Sequence, residues 1–399
     1  MPNHTIRLYL ALTLIRGLGV SFVSATYVTF LLSKHLNLFE INLVNFVYFT
    51  TLFLFEIPTG VIADTFGRKI SFVLSCLVIS LGMFMYGASD SFLGFVMAEA
   101  TIAIGATFAS GAFQAWLVDR LKSQGYADSL GPVFAKEQFV VQGSAVFGAI
   151  AGAFLADQNA TLPWIAGGII VLLSGVLAIF FMEEDRKILQ GPSLKNRVFA
   201  MRSTLTTSFH YVRKDEALRF IMLMGIVQYF AVQAPNMQWQ PFFIQFLGNK
   251  TSLGLLFGGI AVSIMLGSLL STSFLRRIQD ERKALGITQL VIALGIMGSI
   301  VMNVFPIALG IFLFHEIARG MFRPLKDMYL NEAIPSNERA TILSVESTFQ
   351  YVGAMAGLLV SGFLAERFSM QTAWIFSGAV LAVVTLWLLR SKKNESQAD

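Results

Sequence analysis

Cysteine is almost missing from this chain. Cys76 is the only one and lies in an apolar run, which excludes a disulfide framework and a cysteine-based metal site. Charge is scarce as well: Asp, Glu, Lys and Arg make up 13% of the 399 residues, against about 25% in soluble domains. The four histidines, His4, His35, His210 and His315, have no metal-ligand spacing, and the sequence carries neither a phosphate-cradling glycine loop nor a nucleophile motif. No cofactor is implied. What is present is apolar, with 55% hydrophobic residues and a mean hydropathy of +0.67. The solvent for most of such a chain is lipid.

Spanning a bilayer as a helix takes roughly 20 apolar residues. Apolar runs between charged or turn-rich breaks give twelve such segments, at 8–32, 41–64, 70–88, 92–117, 137–156, 163–182, 218–245, 252–275, 285–303, 306–325, 340–365 and 370–389. A transmembrane barrel would alternate polar and apolar residues over short strands, whereas residues 72–88, FVLSCLVISLGMFMYGA, are continuously apolar. The fold class read from this is an all-α membrane protein with twelve transmembrane helices. The first run is too long for a signal-peptide core and is expected to be a retained helix.

A net charge of +5 could suggest nucleic acid as a partner, but the positions of the basic residues argue against it. Lys34, Lys250 and Arg367 fall in one set of alternate loops and Arg16 and Arg319 inside apolar segments. The rest of the 29 Lys and Arg residues gather on the other side. That is the positive-inside pattern, and it places both termini in the cytoplasm of a multi-pass inner-membrane (plasma-membrane) protein.

The two halves of the chain repeat each other. Gly148-Ala149-Ile150-Ala151-Gly152 in the fifth segment recurs as Gly353-Ala354-Met355-Ala356-Gly357 in the eleventh, and Gly60 with Arg68-Lys69 has an echo in Gly267 with Arg276-Arg277 at nearly the same separation. Duplication into two six-helix bundles follows, with an N-terminal bundle at 1–182, a cytoplasmic linker at 183–217 and a C-terminal bundle at 218–399. Within the linker, Val198, Met201, Leu205, Phe209 and Val212 recur at helical spacing beside Arg197, Arg202 and Arg213, the pattern of an amphipathic helix on the inner membrane surface.

Between the second and third segments, Gly60, Asp64, Gly67, Arg68 and Lys69 form a compact loop. Gly67 permits a turn with φ > 0, Asp64 is placed to face the positive end of another helix, and Arg68 needs an anion at the depth of Asp119. The pattern Gly-x-x-x-Asp-x-x-Gly-Arg-Lys resembles the loop motif of the major facilitator superfamily, complete at its fixed positions. The resemblance covers the whole chain and implies a secondary transporter without enzymatic activity. It also implies a gating motif of Gly60, Asp64, Gly67, Arg68, Lys69 and Asp119, in which the Asp64 position docks on the eleventh helix and Arg68 pairs with Asp119. In the second half Ser271 stands where the Asp would be, so a weaker latch is expected there.

Charges inside the membrane each require a partner or water. Arg16 and Glu56 lie at equal depth and are expected to pair, with proton coupling the sharper role for Glu56. Glu316, Arg319 and Arg323 share a helical face, Glu346 lies at a depth comparable with Arg319, and His315 is the histidine placed for proton work. Glu99 has no basic residue at its depth. It heads a small and polar stripe, Glu99, Ala103, Ala106, Ser110 and Gln114, that reads as a cavity wall. Tyr229, Gln233, Asn236 and Gln240 form a similar stripe, interrupted by Pro235 and Pro241, and Arg16, Val20, Ser24 and Tyr27 another. The resemblance implies that the first, fourth, seventh and tenth helices line a central cavity, the helices on which these residues fall.

The function expected is proton-coupled efflux of small amphipathic compounds by alternating access, since the lead-in Glu56-Ile57-Pro58-Thr59-Gly60 resembles that of bacterial drug exporters. The fifth segment departs from them: Gly143, Gly148 and Gly152 lack the proline of a Gly-Pro pair. Proton-coupled uptake of a small metabolite and a non-transporting receptor are the alternatives. The candidate proton-coupling residues are Glu56, Glu99, His315 and Glu316. The candidate cavity residues are Arg16, Ser24, Tyr27, Ser110, Gln114, Tyr229, Gln233, Asn236 and Arg319. The expected partners are a small-molecule substrate, protons and the lipid bilayer, acting on a monomer.

Overall fold

A computed structural model of the chain describes residues 2–184, 215–333 and 339–395, and among these the structure is helical with no strand. Fifteen α-helices follow in order: α1 Pro2–Ser21, α2 Tyr27–Ser33, α3 Leu38–Phe66, α4 Arg68–Ala88, α5 Phe92–Ala109, α6 Ala112–Ser123, α7 Gly131–Gln158, α8 Leu162–Phe181, α9 Glu216–Ala231, α10 Gln233–Leu247, α11 Lys250–Ile278, α12 Glu281–Val301, α13 Phe305–Ala333, α14 Arg339–Arg367 and α15 Met370–Glu395. The amphipathic helix expected in the linker lies outside the described residues.

Each of the twelve expected segments falls on a helix or a pair of helices whose ends lie within eight residues of the expected ones. Among the described residues, eleven spans are long and apolar enough to cross a membrane by length and composition. The twelfth is the first segment, which is divided into α1 and α2. The fold is an all-α membrane protein of twelve transmembrane segments in two six-helix bundles.

By internal contacts the chain divides into two compact units, one of Met1–Leu36, Val44–Ala200 and Leu247–Gly258 and the other of Asn37–Leu43, Met201–Phe246 and Gly259–Asp399. In the first, α1 packs on α7 and α8, and α4 on α5 and α8. In the second, α9 packs on α14 and α15, and α12 on α13 and α15. Segment for segment these are the same pairings, which is the duplication expressed in packing.

The repeated glycines explain why. A Cβ on Gly148 or Gly152 would run into the backbone carbonyls of Leu18 and Phe22, and one on Gly353 or Gly357 into those of Ile226 and Phe230. In both units the motif therefore lets one helix backbone approach another where a side chain would hold them apart. The helix approached is in each case about to break. Residues 22–26 form turns in which Phe22, Ser24 and Thr26 donate to carbonyls three residues back, and α9 stops at Ala231 before α10 resumes at Gln233.

The fourth segment also breaks, between Ser110 and Ala112. Gly111 takes φ +69° there, a conformation open to glycine at no steric cost. The broken segments are thus the first, fourth and seventh, three of the four carrying candidate cavity residues. Non-helical backbone at membrane depth needs protein or water around it rather than lipid.

Candidate functional site

The motif loop sits at the junction of α3 and α4. Gly67 adopts φ +107°, so the chain turns without the strain a side chain would bring. Arg68 donates from Nη1 to the carboxylate of Asp119, the partner expected from the sequence, and to the Ala115 carbonyl at 2.6 Å. Lys69 Nζ donates to the Ile179 carbonyl at 2.7 Å. Asp64, half-buried, occupies the last turns of α3 after Gly60.

Sequence reasoning missed what closes this loop. The Glu184 carboxylate accepts from the backbone N–H of Arg68 and, at 3.2 Å, from that of Lys69. An acid borrowed from the end of the sixth segment thereby caps the N-terminus of α4, where exposed N–H groups favour negative charge. Arg120 pairs with Glu183, whose backbone carbonyl accepts from Trp116 Nε1 at 2.9 Å. The doublet Glu183-Glu184 stood out in the sequence only as the start of a polar linker.

Glu99 does not line a wall. It is buried, 6% exposed, and accepts from the hydroxyl of Tyr86. Aromatic rings surround the pair: Trp164 stacks on Tyr86 at 3.9 Å with 9° between the planes, and Phe30 and Phe95 close the sides. Tyr27, at the first position of α2, places its hydroxyl 3.4 Å from that of Tyr86. Along the proposed stripe, Glu99 and Ala103 face inward whereas Ser110 and Gln114 are exposed. The break at Gly111 rotates the second part of the segment, so a stripe drawn on one continuous helix misplaces its ends.

The expected Arg16–Glu56 pair is not formed. Glu56 is exposed and accepts from Ser110 Oγ at 2.8 Å, while Nε of Arg16 is buried without a hydrogen-bond partner. Equal depth fixes one coordinate of a side chain; its azimuth about the helix axis fixes the other and brings α3 to the break of the fourth segment instead. Gln114 Nε2 donates to Glu137 at 3.1 Å, and Ser24 lies in the break at 22–26.

In the second unit a cluster on α13 joins α10. Arg319 Nε lies 2.9 Å from Glu316 Oε2, and Arg319 Nη1 donates to Asn236 Oδ1 at 2.7 Å. His315, fully buried, has Nε2 3.4 Å from Glu316 Oε1, and among the described residues neither ring nitrogen has a hydrogen-bond partner. Gln233 is buried nearby in sequence and Tyr229 is 36% exposed. Glu346 does not join Arg319. It accepts from Lys326 and Gln350 instead. Lys326 was missed because it follows Arg323 closely at the end of the tenth segment and reads as one more inner-loop cation; it is in fact buried, 6% exposed.

Twelve membrane segments in two repeated bundles, broken at their polar stripes and joined to a motif loop of this build, define a multi-pass membrane protein of the secondary-transport class. The chain belongs to the Major Facilitator Superfamily, whose family profile matches residues 9–286 and 221–399. It is similar to the MFS-type transporter YxaM of Bacillus subtilis strain 168, 23% identical over 385 residues, covering 96% of this chain and 93% of that one. Multidrug resistance protein 2 of the same organism is 22% identical over 342 residues, covering 84% and 82%. Among solved structures, the nucleoside transporter NupG superposes with a TM-score of 0.81 at 11% identity over 97% of this chain and 98% of that one, a likeness of fold. The protein is a membrane-embedded transporter of a small-molecule family.

Proposed function

We propose that this transporter couples the efflux of small amphipathic compounds to proton entry by alternating access. The observation that carries the reading is Glu99: a buried acid whose hydrogen-bond partner is a tyrosine hydroxyl, with no cation among its partners in the described residues. An ion at membrane depth without a counter-charge is costly, and binding a proton removes that cost. Glu99 is thus the proton carrier, with His315 and Glu316 the second candidate group. The similarity to a multidrug resistance protein supports export of amphipathic compounds.

The halves 1–182 and 218–399 act as the two moving bundles, joined by a cytoplasmic linker at 183–217. Asp64, Arg68 and Asp119, with Gly60, Gly67 and Lys69, gate the inner side. Ser24, Tyr27, Ser110, Gln114, Tyr229, Gln233, Asn236, Arg16 and Arg319 supply the cargo-facing surface. The protein works as a monomer in the plasma membrane with both termini in the cytoplasm.

The second reading is proton-coupled uptake of a small metabolite carrying negative charge. Arg16 favours it, since its buried Nε lacks a partner. Arg319 does not, because Glu316 already balances it.

Proteoliposomes with an imposed pH gradient test both. Export predicts that an amphipathic dye moves against the proton flow, and that Glu99→Gln abolishes the gradient dependence while dye binding persists. Dye or metabolite accumulation in the same direction as the protons would replace export by uptake. Unchanged pH dependence in Glu99→Gln would remove Glu99 from the mechanism.

A further inference from the structure

We infer that the hydroxyls of Tyr86 and Tyr27 form a switchable proton relay between buried Glu99 and the accessible side of α2. The inference rests on the assignment of Glu99 as a proton carrier and adds its route of exchange.

Glu99 sits inside a filled box. Tyr86, Phe95 and Phe30 are each no more than 1% exposed and Trp164 is 2% exposed. The stacking of Trp164 on Tyr86 leaves no room for cargo between the rings. The box therefore holds a proton site rather than a substrate site. Glu99 in turn depends on its neighbours to exchange that proton.

Among the described residues a polar path leads out. The Tyr86 hydroxyl touches the Glu99 carboxylate, and the Tyr27 hydroxyl lies 3.4 Å further on. Tyr27 is only half-buried, and the side chain of Asn45 on α3 hydrogen-bonds to its hydroxyl. The titratable groups facing Glu99 are accordingly Tyr86 from α4 and, behind it, Tyr27 from α2, with Tyr48 of α3 beyond. The Lys34–Asp90 ion pair marks the outer rim, where the Lys34 ammonium is 5.8 Å from the Phe30 ring centroid.

A hydroxyl can both donate and accept, so two of them in series can pass a proton without ending charged. With Glu99 unprotonated the Tyr86 hydroxyl donates to the carboxylate; once Glu99 is loaded, that hydroxyl turns toward Tyr27, so the Glu99 carboxyl gives its proton to the Tyr86 oxygen as Tyr86 gives its own to Tyr27. Tyr27 releases its proton to a solvent water on the accessible side, which leaves with it as hydronium. One O–H bond breaks and one forms at each phenol, Glu99 is left as carboxylate, and the same steps reversed reload it.

The two links differ. O–H···O bonds centre on about 2.7–2.8 Å, and the Tyr86–Glu99 contact is closed, whereas the 3.4 Å between the tyrosines is too long for ready transfer. That open link is the switch. Tyr27 is the first residue of α2, directly after the broken turn at 22–26. A small rotation at the turn brings the hydroxyls together or parts them, while Tyr86 and Glu99 stay fixed by packing.

Infrared hydrogen–deuterium exchange on the purified protein tests the relay independently of transport. The carboxylic band lost in Glu99→Gln identifies the site, and its rate of shift after transfer to deuterated buffer reports proton exchange. Tyr86→Phe keeps the ring stack and removes the hydroxyl. Exchange is expected to slow by roughly 100-fold, the low end of what a positioned proton-transfer group contributes. Tyr27→Phe should slow it comparably, and the double variant should add little, because the hydroxyls act in series. Exchange at the wild-type rate in Tyr86→Phe, or absence of a Glu99 carboxylic band at every pH, overturns the relay. Failure of the transport reading shows separately, as wild-type proteoliposomes without gradient-driven flux.

Discussion

At the residue scale, the charged groups inside the bundles fall into two kinds, compensated and uncompensated. Lys326 and Glu346 are compensated: each is buried and each finds the other. Such a pair adds little stability over an apolar one of the same shape, yet removing one partner leaves a buried charge and costs about 3–5 kcal/mol. Lys326→Met should accordingly lower the unfolding temperature sharply in detergent, and the double variant Lys326→Met with Glu346→Leu should recover most of the loss. Equal melting points for the single and double variants would show that the pair is not coupled. Among the described residues Glu99 has no cation as partner and Arg16 has no partner at its Nε, and the functional proposals rest on these two for that reason. Composition and depth singled out Glu99 and Arg16 as charges in need of partners. The partner actually taken by Glu99 could not be read, because Tyr86 is a common residue in an apolar segment and becomes informative only beside Trp164.

At the element scale, the repeated glycines and the helix caps set how the segments pack. Gly152 sits against the backbone of Phe22, so Gly152→Val is expected to prevent α7 from seating on α1 and to reduce folded yield severely. Gly143, on the same helix, has nothing within 4 Å of a would-be Cβ. Gly143→Ala should be tolerated, and can gain about 0.5–1 kcal/mol from reduced backbone freedom. Size-exclusion yield and melting temperature measure both.

Asp280 caps α12 by accepting from the Lys283 N–H at 2.9 Å. Burial alone would raise its carboxyl, but the Lys283 backbone N–H and ammonium outweigh that and hold it below the ordinary carboxylate value. A group lowered in the folded state stabilises above its unfolded value, and the contribution fades as pH falls through the folded one. Asp280→Ala should cost about 1 kcal/mol at neutral pH and less once the medium is acid enough to protonate Asp280 in both states, when only the neutral capping hydrogen bond remains. A melting-temperature difference independent of pH would refute the charge-based part of this account.

At the scale of the whole molecule, the orientation proposed for the protein in the membrane rests on the distribution of its cations. Cys76 is buried, so Cys76→Ser provides a background for single introduced cysteines. Asp128→Cys, in the exposed turn before α7, should react with an impermeant maleimide only after the cells are opened. Asn303→Cys, exposed between α12 and α13, should react in intact cells. The reverse pattern would invert the topology and with it the direction of every transport step argued here.

The sequence by itself determined the number of spans, their limits to within eight residues, the twofold repeat and the glycine turn at position 67. These depend on local properties: segment hydropathy, backbone freedom and the spacing of small residues, all written along the chain. Tertiary structure alone decided that Glu56 meets Ser110 rather than Arg16, that Glu346 meets Lys326 rather than Arg319, and that Glu99 turns into an aromatic box. Each is a question of rotation about a helix axis, and breaks such as the one at Gly111 reset that rotation within a single segment. Hydropathy reports depth in the bilayer, but only packing sets the angle.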